Sequence, residues 1–161
     1  KMSPKENLTG PLTLNLKKDE MVCVAGEHNY DLFIINSGRL LVFVNQGTKV
    51  TPLAYLEQGE YLGELSFFDK KSRSAHVVCL EDTTLVQIPV TEIDKQFPKW
   101  LSTMANSITH KLRHFDELIK EKGIRKQNVD SIKPLSIEEQ RHYFQVMDQA
   151  RQELGIVEPE N

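Results

Sequence analysis

From Leu12 to Pro89 the chain carries short apolar runs at close spacing: LTLNL, MVCVA, LFII, LLVFV, LAYL, AHVVCL and TLVQI. Runs of this length, rich in β-branched residues, read as strands. Seven or eight of them predict a sandwich or a jelly-roll barrel. Gly26, Gly38, Gly47, Gly59 and Gly63 punctuate the runs, where tight turns call for left-handed backbone. NSG and NQG are the clearest turn signals, the second placed for a hairpin between Val44 and Val50.

At Pro98 the period changes. Leu101, Ala105, Ile108, Leu112, Phe115 and Ile119 recur at steps of 4, 3, 4, 3 and 4. That seam predicts a helix from about Lys99 to Lys122, stopped by Gly123. Its stripe, widened by Trp100, Met104 and Leu118, would face the barrel, a partner helix, or partly each. The polar IRKQNVDSIK reads as a linker. Ser136, with Glu139 three residues on, forms a capping box that opens a second helix. Tyr143, Met147, Ala150 and Leu154 line one face of it before Gly155. The predicted class is therefore mainly β with α: a tail over 1–11, a β jelly-roll barrel with a long C-terminal helix over 12–122, a linker over 123–134, and a further helical extension over 135–161.

The 161 residues include 20 basic and 23 acidic side chains, a formal net charge of −3. Such a balance offers no general attraction to nucleic acid or an anionic membrane. No stretch approaches the roughly 18 apolar residues of a membrane span, and no secretory signal is evident. A soluble, cytoplasmic chain is expected. Cys23 and Cys79 each sit in an apolar run, which suits buried thiols in a reducing cytosol, although the sequence leaves a disulfide between them open. Lys1 ahead of Met2 suggests a piece excised from something longer.

Candidate chemistry concentrates in YLGELSFFDKKSRSAHV, residues 61–77. ELSFF is long enough for one helical turn, and a glycine before it lets a ligand approach backbone amides that are free at a helix start. Arg73 returns with a forked, permanently charged donor suited to phosphate oxygens, and Glu64 can accept from hydroxyls. One phosphate and one sugar hydroxyl would satisfy both; a simple surface ion pair between the two is the plainer alternative. Elsewhere, His110 and His114 stand four apart on the outward face of the long helix with no third ligand in sight, which favours a solvated face over a metal site. His76 reads as a packed or rim histidine. With no Walker loop, zinc spacing or Ser-His-Asp arrangement, an enzyme is not expected.

The stretch LGELSFFDKKSRSAHV resembles the phosphate-binding cassette of the cyclic-nucleotide-binding domain family, shared by catabolite activators, cyclic-nucleotide-dependent kinases and gated channels. The similarity extends upstream through MVCVAGEHNYDLFIINSGRLLVFV and LAYLEQGEYLGE, and downstream through EDTTLVQIP and FPKWL. The resemblance implies that Glu64 binds the ribose 2′-hydroxyl and Arg73 the cyclic phosphate. Ser74 and the amides near Leu65 and Ser66 would complete the anion site, with Leu62, Gly63 and Ala75 shaping the wall. By the resemblance the long helix would cap the base; the residues placed for it are Phe115, which can stack on a purine face or equally pack within the seam, and Asp116, which can accept from adenine's amine or guanine's N–H donors. The chain departs from the family at Asp19, where a glycine is frequent, and at Ser72, where a proline is.

The implied function is a regulatory sensor, non-enzymatic and without a cofactor, whose ligand is cyclic AMP, with cyclic GMP as the other choice. It would form a homodimer through the helix at 99–122, with no DNA or membrane contact of its own. Two alternatives stand beside it: a structural or dimerisation module with an empty pocket, and the ligand-binding part of a transcription regulator.

Overall fold

The computed structural model describes residues 11–122 and 133–156, with side chains over 11–114 and 133–156. Residues 1–10 of the expected tail over 1–11, residues 123–132 of the expected linker over 123–134, residues 157–161 of the expected helical extension over 135–161, the stop at Gly123 and the side chains of Phe115, Asp116, Leu118 and Ile119 lie outside the described residues.

Eight strands run in order: β1 (Leu12–Leu16), β2 (Met21–Cys23), β3 (Leu32–Ser37), β4 (Leu40–Gln46), β5 (Lys49–Leu56), β6 (Tyr61–Leu62), β7 (His76–Cys79) and β8 (Thr83–Ile88). The helix α1 (Glu64–Asp69) separates β6 from β7. A 3-10 turn (Val90–Glu92), the short α2 (Ile93–Gln96) and the long α3 (Lys99–Lys122) follow, and α4 (Ile137–Leu154) comes last. Each predicted strand run yields a strand. β6, only two residues long, and α2 are too short for periodicity to register.

The strands form two four-stranded antiparallel sheets, ordered β1-β8-β3-β6 and β2-β7-β4-β5. They face one another as an open jelly roll; among the described residues no ladder closes them into a ring. Cys23, Phe33, Ile35, Leu40, Val77, Cys79 and Leu85 fill the space between them. Strand alternation assigns each residue to a face. On β4, Leu40 joins that inner core, whereas Leu41 and Phe43 face outward into a second one. Both cysteines are buried and free, so no disulfide joins them. In the turn before β2, Asp19 has φ of +67°, the left-handed backbone for which glycine is the usual choice and which aspartate tolerates.

The second core explains α4. Its capping box forms as expected, Ser136 Oγ accepting from Glu139 N–H at 3.2 Å and Glu139 Oε2 from Ser136 N–H at 2.7 Å. Leu135 and Met147 then bury themselves against Leu41, Phe43, Val50 and Val78, on the outside of the β2-β7-β4-β5 sheet.

The helix α3 has the expected bounds, but its seam is split between two environments. Leu101 and Ala105 are half-buried, whereas Ile108 is 51 % exposed and Leu112 49 %. Between them the buried face carries Thr109 and Arg113, because α3 packs on α1 through a polar contact that hydrophobic spacing does not signal. Trp100 and Met104 lie with Ile108 and Leu112 on the open side.

Candidate ligand-binding site

The inner core opens at the segment 61–77 into a cavity of about 230 Å³. Leu62, Gly63, Glu64, Leu65, Ser66, Arg73, Ser74 and Ala75 all line it, so eight of the ten residues singled out in the sequence meet there. Phe115 and Asp116 lie outside the described side chains. Cys23, Val42, Leu56, Tyr61 and Val77 complete the wall. Sequence reasoning did not pick these out, because their apolar runs signalled strands and not which alternating residue faces the cavity.

Local backbone chemistry builds the polar end. Gly63 begins α1 with φ of +91°, and no side chain caps the helix. Phe67 N–H takes the Gly63 carbonyl at 3.0 Å as the first helical bond, so the preceding amides of Glu64, Leu65 and Ser66 have no partner within the helix. The Ser66 hydroxyl turns away to the Ser72 carbonyl at 3.5 Å. Glu64 is exposed at the rim, and its carboxylate makes no hydrogen bond or ion pair among the described residues.

Arg73 is 4 % exposed. Its Nη1 donates to the Gly63 carbonyl at 3.2 Å, and its Nη2 to the Asp31 carbonyl at 2.6 Å and to Asn29 Oδ1 at 3.2 Å. The Phe33 ring lies 5.5 Å below the guanidinium. Nε is buried and makes no hydrogen bond. The ion pair with Glu64 does not form: a permanent cation is buried on neutral dipoles, and among the described residues no carboxylate pairs with it. Burying a charge without a counter-charge is costly, so this arrangement favours an anion arriving from elsewhere.

The residues that hold Arg73 were not legible in the sequence. Asp31 offers only its carbonyl to the arginine. Its carboxylate instead accepts from Gln87 Nε2 at 2.5 Å and from Val90 N–H at 2.8 Å, the first residue of the 3-10 turn leading to α3. Phe67, Phe68 and Phe97 add a second tie, with edge-on ring pairs at 5.4 to 6.3 Å joining α1 to the end of α2. Burial also sets the thiols and the one buried imidazole. It pushes Cys23 up to about 12 and Cys79 to about 11, which keeps both protonated, and it lowers His76 to about 4 with the Arg151 charge adding to it. Among the described residues no cluster of His, Cys, Asp and Glu could hold a metal ion, and no helix is long and apolar enough to cross a membrane.

The cyclic nucleotide-binding domain family matches residues 13–98. The chain belongs to that family. Among curated proteins it is 28 % identical over 113 residues to a lysophospholipase NTE1 of Coccidioides immitis, covering 68 % of this chain and 7 % of that one. It is 30 % identical over 95 residues to a cyclic AMP receptor protein of Thermus thermophilus, covering 56 % and 44 %. Among solved structures the cAMP-bound form of the EAL enzyme Bd1971 superposes with a TM-score of 0.59 at 25 % identity, over 70 % of this chain and 29 % of that one. The chain therefore spans less than half the length of each of these relatives. The family is regulatory, although some of the similar proteins are themselves enzymes.

Proposed function

We propose that this domain is a non-catalytic sensor that takes a cyclic nucleotide, cyclic AMP by preference and cyclic GMP as the alternative, into the cavity beneath α1. The buried Arg73 guanidinium carries the reading: among the described residues it has no counter-charge, its Nε is unbonded, and the amides of Glu64, Leu65 and Ser66 at the start of α1 have no partner within the helix. A cyclic phosphate would supply the missing acceptor, with Ser74 and the amides of Leu65 and Ser66 on its other oxygens. Glu64, free at the rim, would accept from the ribose 2′-hydroxyl. Leu62, Gly63 and Ala75 would press against the sugar, and Phe115 and Asp116 would cap the base. That the Thermus relative is a cyclic AMP receptor protein, and that Bd1971 has a cAMP-bound form, supports the ligand class.

The signal would leave through α3. Asp31 and the phenylalanine cluster tie the site to the segment before α3, and Arg113 ties α3 to α1. A ligand shifts an equilibrium only by its differential affinity, so the cassette must hold α3 differently when filled. The open side of α3 would pair with a second copy, giving a homodimer. The reading assigns the chain no DNA or membrane contact, and its two free thiols suit a reducing cytoplasm.

The test is a thermal-shift titration. At 100 times its dissociation constant a ligand adds about 2.7 kcal/mol, or roughly 5 to 10 °C at this size. No shift with millimolar cyclic AMP, cyclic GMP or cyclic di-GMP would leave a structural module in place of a sensor.

A further inference from the structure

The helix α4 lies beyond the family match, yet it is part of the folded body. Met147 is completely buried beneath it, against the outer face of the sheet that contains β7. Alternation divides β7 between two surroundings. Val77 lines the cavity, whereas Val78 belongs to the outer core under α4 and His76 stacks on Phe43 in the same layer. No residue separates Arg73, Ser74 and Ala75 from His76, and α4, which packs chiefly over β5 and β2, covers the sheet in which β7 continues from those anion-binding side chains.

Two lines of contact run from α4 to that arm. In the first, Tyr143 faces Phe43 at 6.2 Å, and Phe43 stacks on His76 at 5.1 Å. His76 Nδ1 in turn accepts the Ala25 N–H at 3.1 Å. In the second, Ile156, just past α4, packs against the next residue in that turn: a Cβ at Gly26 would stand 3.7 Å from Ile156 Cγ2. The turn then holds the Arg73 backbone at both ends, Gly26 N–H donating to its carbonyl at 2.9 Å and Arg73 N–H to the Glu27 carbonyl at 3.0 Å.

We propose that α4 positions the arm carrying Arg73, Ser74 and Ala75, so that seating of α4 on the sheet and occupancy of the cavity stabilise one another. The inference rests on the nucleotide reading above and assigns a regulatory part to the helix furthest from the cassette in sequence. Such coupling is reciprocal: whatever loosens α4 weakens ligand, and ligand tightens α4.

Hydrogen exchange of the whole chain, with and without cyclic AMP, combined with calorimetric titration of two seat variants, tests this. Met147→Ala empties the centre of the seat. Tyr143→Ala, at its half-buried rim, removes only the ring facing Phe43 and carries the test if the first variant does not fold. Cyclic AMP should slow exchange across 137–154 as well as 63–75, and each folded variant should bind it about fivefold or more weakly. If the parent chain binds and both properties of α4 stay unmoved, with variant affinities within about twofold, the coupling is wrong and the nucleotide reading survives. If the parent chain binds neither cyclic AMP nor cyclic GMP, the nucleotide reading falls and takes the coupling with it.

Discussion

Arg113, four turns into α3, grips Asp69 at the end of α1 with two parallel donors, Nε to Oδ2 and Nη2 to Oδ1, the latter at 3.0 Å. The side chains are only 15 % and 6 % exposed. This fork is the charged part of the interface between the cassette helix and the long helix. Replacing Arg113 by Leu leaves Asp69 desolvated with, among the described residues, Lys71 N–H as its one other partner, and the expected cost is about 3 kcal/mol. Urea unfolding of Arg113→Leu, Asp69→Leu and the double variant should give a double variant more stable than the two single losses add up to. Strict additivity would mean that the pair contributes nothing to holding α3.

Gly63 and Arg73 make a second coupled pair. A Cβ on residue 63 would lie 2.1 Å from Arg73 Nη1 and 3.0 Å from the Asp31 carbonyl, at a φ of +91° that already disfavours a side chain. Gly63→Ala should therefore cost about 1 to 3 kcal/mol and displace the guanidinium. Arg73→Ala should abolish the thermal shift with cyclic AMP, because it deletes the charged phosphate contact. Combined, the two changes should cost less than their sum, since the steric partner is gone. A Gly63→Ala chain with unaltered stability and nucleotide affinity would contradict the close approach seen here.

The strands and both long helices were legible in the sequence because LTLNL alternates, LLVFV is a short continuous apolar run, and apolar residues recur at steps of three and four along α3 and α4. The cassette was legible for another reason, that its chemistry lies in a contiguous stretch. What escaped was everything set by contacts between distant segments. Nothing in a linear pattern says that Asp31 turns its carbonyl to Arg73 and its carboxylate to Val90, or that Arg113 interrupts an apolar stripe to reach Asp69. The outer core is of the same kind. Alternation in β4 hints that Phe43 faces outward, but only the seating of α4 explains how that ring is covered.

The open side of α3 carries Trp100 at 67 % exposure, with Met104, Ile108 and Leu112 at steps of four along it. A row of large apolar side chains this long is seldom left to water. If it joins two copies as proposed, Ile108→Glu should convert a dimer of twice the 18.5 kDa chain mass to monomer in sedimentation equilibrium. The cavity side of the domain should be untouched, so the thermal shift with cyclic AMP should persist in the variant. A parent chain that sediments as monomer at all concentrations would exclude this arrangement.

His76 makes the fold sensitive to acid in a window of its own. Its Nδ1 accepts the Ala25 N–H, so that nitrogen carries no proton, and Nε2 therefore donates to Asn45 Oδ1 at 3.0 Å. A second proton would have to break the Ala25 bond, inside a site 1 % exposed and beside the Arg151 charge on α4. The folded value of about 4 thus lies below the ordinary 6.5. Between those limits the unfolded chain binds a proton that the folded chain refuses, so stability is full above pH 6.5 and falls as pH drops toward 4. The loss is about 3 kcal/mol at its end. Carboxylates held low by partners, Glu139 by its capping bonds and Asp82 by Lys17, act in the same direction but only below their ordinary 4.5 and 3.8. Denaturant unfolding at pH 7, 6, 5 and 4.5 should therefore show a decline that His76→Gln flattens, whatever the variant's stability at pH 7. Parallel declines in parent and variant would mean that the imidazole titrates at its ordinary value and that the buried geometry described for it is wrong.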